Sequence, residues 1–437
     1  MKKINCPLIC FVLASPLFAQ SAIEKELGAL RQMSLQLLNR IDQLERQQES
    51  ALEAVSAQKS ITPLLDKTVI LEKYHSPKGI VELSSNDTTM TLGGRIEFNT
   101  YFSNPDVGPF FDAVYKPAVA GESKQLSTDA RDSRLWVKTQ TPTEIGVLKS
   151  LIELDFWSGT GNERNTNSHA PRLRHAYVTL NGFTLGQTYS LFTTVHTPDL
   201  IIDPVNEVYA RQPLLSWGDG DSTFRYDFSV EEPETTLTDY TGVRVLPEDD
   251  RFPDFAARAQ YYAEWGELSG ALILRQIRQD HATVNGIVLT NSDDAYGWGI
   301  NTSAKIAVAQ RDDIRLGFQY GNALGRYFAE GAYNAGSINA LGHINLQVAY
   351  GANIAYRHWW NGTLHSTVAY NKTEAYNNHD IVPFSVSKKA DSKHINFIWT
   401  PIANTLVGFE YAHINRENEQ NQHNNLDQFK LRFRYDF

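Results

Sequence analysis

The stretch from Leu426 to Phe437 shows the pattern that most of the chain repeats. Phe429, Leu431, Phe433, Tyr435 and Phe437 alternate with Gln428, Lys430, Arg432, Arg434 and Asp436. A period of two is the signature of a strand with one apolar and one charged face. In 222–231, Phe224, Tyr226, Phe228 and Val230 oppose Thr223, Arg225, Asp227, Ser229 and Glu231. In 254–265, Phe255, Ala257, Ala259, Tyr261 and Ala263 oppose Ala256, Arg258, Gln260, Tyr262 and Glu264.

From Met90 onward such segments are separated by breaks that alternate between tight and long. The tight ones are Thr141-Pro142-Thr143, Asn181-Gly182, Gly218-Asp219-Gly220, Trp265-Gly266, Gln310-Arg311-Asp312, Asn361-Gly362 and Thr400-Pro401-Ile402. The long ones fall near 104–130, 158–170, 190–210, 232–253, 281–293, 328–346, 377–388 and 417–426. The segments between breaks number about sixteen, an even count that suits a closed barrel with short turns at one end and long loops at the other. A sandwich would not separate short from long connections so cleanly, and no period of about 40 residues suggests a propeller. The pattern therefore predicts an all-β fold, a sixteen-stranded antiparallel transmembrane β-barrel over 90–437. A charge facing mid-bilayer costs about 2–4 kcal/mol, so the charged faces are expected to line the lumen and the apolar faces to meet outer-membrane lipid.

Before Met90 the pattern changes. Residues 1–19 read as a signal peptide, with Lys2 and Lys3, an apolar stretch and a small residue at Ala19. In 20–60, Ile23, Leu27, Leu30, Leu37, Ile41, Leu44, Ala51 and Val55 follow steps of four and three, interrupted by Ser34 and Gln48. That is the heptad seam of an α-helical coiled coil, expected to lie in the periplasm and support an oligomer. Residues 61–89, with Pro63 and Pro77, read as a linker.

Composition sharpens the picture at three points. Outside the extreme N-terminus no apolar run reaches the ~20 residues of a membrane helix, which leaves a barrel untouched. Both cysteines, Cys6 and Cys10, lie within the signal segment, so the exported chain needs no disulfide and has no thiol chemistry. The formal net charge is −10, yet parity turns an excess of cations inward. The basic candidates are Arg95, Arg134, Arg172, Arg174, Arg225, Arg258, Arg275, Arg432 and Arg434, with Lys138, Lys149, Lys305, Arg315, Arg357 and Lys430. The acidic ones are Glu97, Asp132, Glu153, Asp155, Asp227, Glu231, Glu264, Asp313, Glu410 and Asp436. A basic wall in a narrow channel attracts small anions, and the planar guanidinium grips carboxylate or phosphate with two bonds. On 171–181, Arg172, Arg174 and Ala176 share parity with Val178 and Leu180; the cost of arginine in lipid turns Arg172 and Arg174 inward, with the small Ala176 leaving room for a loop.

The connection Leu191–Gln212 is the candidate for that loop. Leu200, Ile201, Ile202, Val205 and Val208 are too apolar for a free external loop, which implies packing. Folding inward would set Asp199, Asp203, Glu207 and Arg211 across from the basic wall and narrow the pore. Packing outside, at a subunit interface, is the other outcome.

No chemistry competes with this reading. The histidines show no metal spacing on a helix, no Gly-rich phosphate loop opens a helix, and no Ser-His pair assembles on the lipid face. Gly93, Gly94 and Gly297 sit within strand patterns and suit close packing. No enzyme activity, cofactor or metal is expected, and acidic charge with an export signal disfavours nucleic acid.

Taken in order, the signal segment, the heptads of 23–57, the strand–loop alternation and the final Tyr435-Asp436-Phe437 resemble the trimeric sixteen-stranded porins, and within them the DcaP-like porins. Arg172-Leu173-Arg174-His175-Ala176-Tyr177-Val178, Leu185-Gly186-Gln187-Thr188 and Arg211-Gln212-Pro213 look like stretches of that family. The resemblance implies a homotrimer, an inward-folded third loop and passive passage of small anions, notably dicarboxylates. A general diffusion porin, or a structural or adhesive barrel tethered through its coiled coil, remains open at this point.

Overall fold

Alternation of apolar and polar residues produces strands wherever it occurs. The computed structural model describes residues 82–85, 87–104, 125–159, 165–309 and 311–437. The expected signal peptide, the coiled-coil helix and most of the linker lie outside them. The barrel strands are β1 (Thr88–Asn104), β2 (in two pieces, Gln125–Asp129 and Arg134–Thr143), β3 (Gly146–Ser158), β4 (Ala170–Leu180), β5 (Phe183–Tyr189), β6 (Arg211–Gly220), β7 (Phe224–Glu231) and β8 (Asp254–Ala263). They continue as β9 (Gly266–Gln279), β10 (Asp293–Ala309), β11 (Asp312–Asn322), β12 (Val348–Trp359), β13 (Leu364–Tyr376), β14 (Ser387–Trp399), β15 (Thr405–Asn418) and β16 (His423–Asp436). Among the described residues there is no α-helix.

Both pieces of β2 pair with β1, so they form one strand with a step at 130–133. A short strand, Glu82–Ser85, turns back onto Thr88–Thr91; the chain is thus already extended before the end of the expected linker. With that segment set aside, the eighteen strand segments of the main sheet make sixteen staves. The sheet closes because β1 pairs with β16 from Arg95↔Asp436 to Asn104↔Asp427. Gly94 and Phe437 then exchange two backbone hydrogen bonds of 2.9 and 3.0 Å. Closure leaves no unpaired edge, the condition for a sheet to sit in lipid. A Cβ on Gly94 would run into the Phe437 ring and one on Gly93 into Trp136, so both glycines serve the close packing expected of them.

The two faces sort as the alternation requires. On β16, Phe429, Leu431, Phe433 and Tyr435 are exposed, whereas Gln428, Lys430 and Asp436 are buried inside. On β7, Phe224, Phe228 and Val230 point out and Asp227, Ser229 and Glu231 point in. The apolar face turns to lipid because there it replaces hydrocarbon contacts at no cost, whereas charge would not.

Turns fall near the expected breaks, with three shifts. Asn181 (φ 49°) and Gly182 (φ 83°) both take positive φ, which is the type I′ hairpin turn that Asn-Gly favours. The first tight turn sits at Glu144–Ile145, since β2 runs through Thr143, and the third at 221–223. The last long connection shrinks to 419–422, because β15 and β16 extend past the membrane as a hairpin. The other long loops build structure of their own. Leu237–Asp239, Arg244–Val245, Gly336–Ile338 and Ile344–Leu346 form a four-stranded sheet separate from that of the barrel.

Candidate functional site: the lumen and its arginine ladder

The connection after β5 folds into the barrel. Its apolar residues are the reason: Phe192, Ile201, Ile202, Val205 and Val208 are all buried. Ile202 and Val205 pack on Ala390, Ala412, Ile414 and Leu426 of β14–β16. Polar groups of the wall then satisfy the loop's backbone. At its root, Leu191 N–H donates to Glu231 Oε1 at 3.0 Å. Midway, His196 N–H donates to Ser303 Oγ at 3.2 Å and Arg315 Nη1 donates to Thr197 O at 2.8 Å. At the tip, Glu410 on β15 accepts from Ile201 N–H at 2.6 Å and Ile202 N–H at 3.2 Å. His394 Nδ1 and Asn396 Nδ2 bond the same carboxylate at 2.9 and 3.1 Å. A buried carboxylate with four partners is a fixed anchor, because losing any of them would strand a desolvated group.

The loop leaves a cavity of about 680 Å³, bounded chiefly by β1–β5 and β16 and reaching Glu267, Lys305 and Arg315 on β9–β11. Nine basic and seven acidic side chains line it, a net positive wall in a chain of net charge −10. Six arginines form two chains of alternating charge. In the first, Arg434 Nε lies 3.0 Å from Asp436 Oδ2, Arg95 Nε 2.9 Å from Asp436 Oδ1, Arg95 Nη1 3.7 Å from Glu97 Oε2, and Arg432 Nε 2.7 Å from Glu97 Oε1. In the second, Arg134 Nη1 lies 3.2 Å from Glu153 Oε1, and Arg174 bridges Glu153 at 2.7 Å and Asp155 at 2.8 Å. Arg172 closes that chain with two bonds to Asp155, of 3.0 and 2.7 Å. Each chain begins and ends on arginine, so each carries one cation more than it has carboxylates. The carboxylates hold the guanidinium groups in fixed directions, which preorganises them for an anion.

The ambiguity of β4 has a structural cause. Pairing with β3 slips at Glu153/Leu154, where Glu153 faces His175 and Leu154 faces Leu173. Arg174 is the extra residue of a β-bulge. Arg174 and His175 are therefore both buried on the lumen side, while Leu173 and Val178 are exposed to lipid. Parity flips at the bulge, so Ala176, expected on the inner wall, instead pairs with the lipid-facing Ile152. His175 joins the cavity lining with Trp157, Tyr189 and Tyr209; the bulge places it there, and the parity conflict of 171–181 is the bulge's trace in the sequence.

Not every expected residue lines the cavity. Arg95, Arg134, Arg172, Arg174, Arg432 and Arg434 do, as do Asp199, Asp203 and Glu207. Arg225 and Arg258 face inward but share Asp227, at 2.6 and 3.3 Å, away from the cavity. Arg275 is fully buried; it holds Asp254 at 2.9 Å and donates to the carbonyls of Ala323 and Glu234, each at 2.7 Å. Arg211 opens β6 and packs its guanidinium over Tyr209 and Tyr189, 5.2 and 5.8 Å from the ring centres. Asp199 does not face Arg172 and Arg174. It pairs with Arg357 at 2.8 Å and His365 at 3.2 Å on the far wall, an anchoring contact. Asp203 sits on the loop near Lys430 and Arg432; burial pushes its carboxyl up to about 6 against the pull of those two cations, with Asp132 and Glu410 adding to the rise. Among the described residues no His, Cys, Asp and Glu cluster could hold a metal ion.

A closed sixteen-stranded barrel with a lipid-facing apolar band and a charged, loop-narrowed lumen defines the class of outer-membrane channel proteins. Within that class the chain belongs to the porin subfamily, whose profile matches residues 85–433. It is a protein of the Gram-negative outer membrane. Porin Omp2b of Brucella suis is 27% identical over 169 residues, which span 34% of this chain and 45% of that relative, less than half its length. Among solved structures, the outer membrane channel DcaP of Acinetobacter baumannii has a TM-score of 0.71 at 21% identity, over 81% of this chain and 99% of that one. OmpT of Vibrio cholerae has a TM-score of 0.52 at 10% identity, over 82% of this chain and all of that one, and its trimer form 0.50 at 10% identity, over 80% of this chain and 99% of that one. The resemblance to DcaP-like porins thus holds at the level of the fold.

Proposed function

We propose that the protein is a passive diffusion channel that favours small anionic solutes, dicarboxylates among them, and has no enzymatic activity. The observation that carries this reading is the pair of arginine-terminated charge chains, six arginines to four carboxylates, on the open wall of the lumen. In this reading Arg95, Arg134, Arg172, Arg174, Arg432 and Arg434 guide the anion, and the loop bearing Asp203 and Glu207 forms the constriction. A solute carboxylate exchanges hydration water for guanidinium donors already held in place, and several successive sites keep any one of them from trapping it. The working unit is a homotrimer, in keeping with the heptad seam expected over 20–60 and with the trimer form of OmpT.

Planar-bilayer recording of the purified protein across a salt gradient tests the reading. Discrete steps, an anion-directed reversal potential and block by added succinate are the expected result. Steps with cation preference or none, and no block, would replace it with a general diffusion porin. Folded protein that gives no steps would favour a structural barrel.

A further inference from the structure

A second loop enters the barrel beside the first. After β11 the chain runs inward from Ala323 and returns at Ala335. Leu324, Tyr327 and Phe328 are at most 1% exposed, burial that a solvent-facing loop never shows. The two ends lie together, because Ala323 N–H donates to Gln347 O at 3.1 Å and Gln347 N–H donates to Ala335 O at 3.0 Å. The excursion is therefore a compact Ω-loop tied at its neck.

The wall is shaped to receive it. Four glycines occupy inward positions on β10, β11 and β12, and at Gly297, Gly299 and Gly351 a loop side chain fills the place of the missing Cβ, whereas at Gly321 the backbone of β10 comes first. A Cβ on Gly297 would strike Ala323, and one on Gly299 would strike Leu324. One on Gly321 would come within 3.0 Å of Leu324, and one on Gly351 within 2.8 Å of the Phe328 ring. A glycine inside a strand weakens it unless another chain segment needs the space. The tip is locked as well as seated. Tyr327 O–H donates to Asp254 Oδ2 at 2.8 Å, its ring meets Phe192 edge-on with centres 6.0 Å apart, and Phe328 stacks on Tyr333 at 5.9 Å.

We propose that Leu324–Asn334 is a built-in second plug that fills the lumen beside Gly297, Gly299 and Gly351 of β10–β12 and so sets the size limit of the channel, with Tyr327 and Phe328 as the residues that determine it. The plug confines solutes to the arginine-lined side, so that size selection and charge selection act on the same path. This rests on the channel reading above.

The test compares the wild-type trimer with two variants in planar bilayers and in liposome swelling with neutral sugars of increasing size. One replaces 325–333 with a short glycine bridge across the tied neck. The other, Phe328→Ala with Tyr333→Ala, keeps every barrel strand and carries the test if the deletion does not fold. The deletion is expected to raise conductance by roughly twofold or more, to admit larger sugars and to weaken anion preference, because the added cross-section carries glycines, alanines and amides together with Arg275 already paired to Asp254 and the acid Glu231. The double alanine variant should shift the same way by less. Folded variants with wild-type conductance and size limit would overturn the proposal. A wild-type protein that passes no ions would instead overturn the channel reading itself.

Discussion

Arg174 and Arg275 occupy equivalent positions by every local criterion. Each points inward from a strand, each is buried, and each holds a carboxylate on the neighbouring strand. Arg174 lies on the open flank, β1–β5 with β16, and lines the cavity. Arg275 lies on β9 beneath the second loop, a covered flank where the carbonyls of Glu234, Ala323 and Leu324 use up its donors. The comparison teaches that parity decides inward against outward, but not whether inward means water. On the open flank an inward cation borders the cavity. On the covered flank it is a structural tie between wall and loops.

The largest expected contrast is in stability. Arg275→Ala would leave Asp254 in a dry site with Tyr327 as its remaining partner, at a cost of about 3–5 kcal/mol. Urea or heat unfolding in detergent measures it, and a wild-type midpoint would place Arg275 in contact with water after all. Arg172→Ala with Arg174→Ala acts instead on function. Two lumen cations vanish, Asp155 is left without its guanidinium partners, and the anion-to-cation permeability ratio should fall by roughly a factor of a few. An unchanged reversal potential in the folded double variant would remove the second charge chain from the solute path. A smaller effect is expected from Glu410→Gln, which keeps one acceptor but weakens the anchor of the first loop by about 1–3 kcal/mol. Single-channel records should show more open-channel noise at near-normal selectivity; quiet records would shift the anchoring to Asp199 and its contacts with Arg357 and His365.

The smallest effect is that of pH. With its carboxyl near 6, Asp203 is neutral below that pH and gains a negative charge as pH rises through it. Lowering pH from 7.5 to 5 therefore removes one negative charge per pore beside Lys430 and Arg432, and anion preference should strengthen modestly. Asp203→Asn should flatten that dependence. A preference that weakens at pH 5 would mean that another group controls the field.

How much was legible follows from these residues. The outward positions could be read one by one, since hydrocarbon tolerates so little: Phe228, Phe255, Leu431 and Phe433 all fall where alternation puts them. That 190–210 packs against something was legible too, from Ile201, Ile202 and Val208, but the pattern left open whether it packs inside the barrel or out. The bulge at Arg174 showed only as the shared parity of Arg172 and Arg174 with Val178 and Leu180, which local periodicity could not resolve. The second plug left a faint trace in Gly297, Gly299, Gly321 and Gly351, but small inward residues spread over three strands form a groove only when those strands lie side by side.

The amino-acid order by itself determined strand number and, away from the bulge in β4, the facing of the strands. Each of these follows from local periodicity against two solvents, lipid and water. Only the tertiary structure decided the pairing of β1 with β16 that closes the barrel, and which inward arginines line the cavity. The latter depends on where two loops, far apart in the chain, come to rest inside the barrel. Their positions are set by long-range contacts such as Ile201 with Glu410 and Tyr327 with Asp254, which no local pattern encodes.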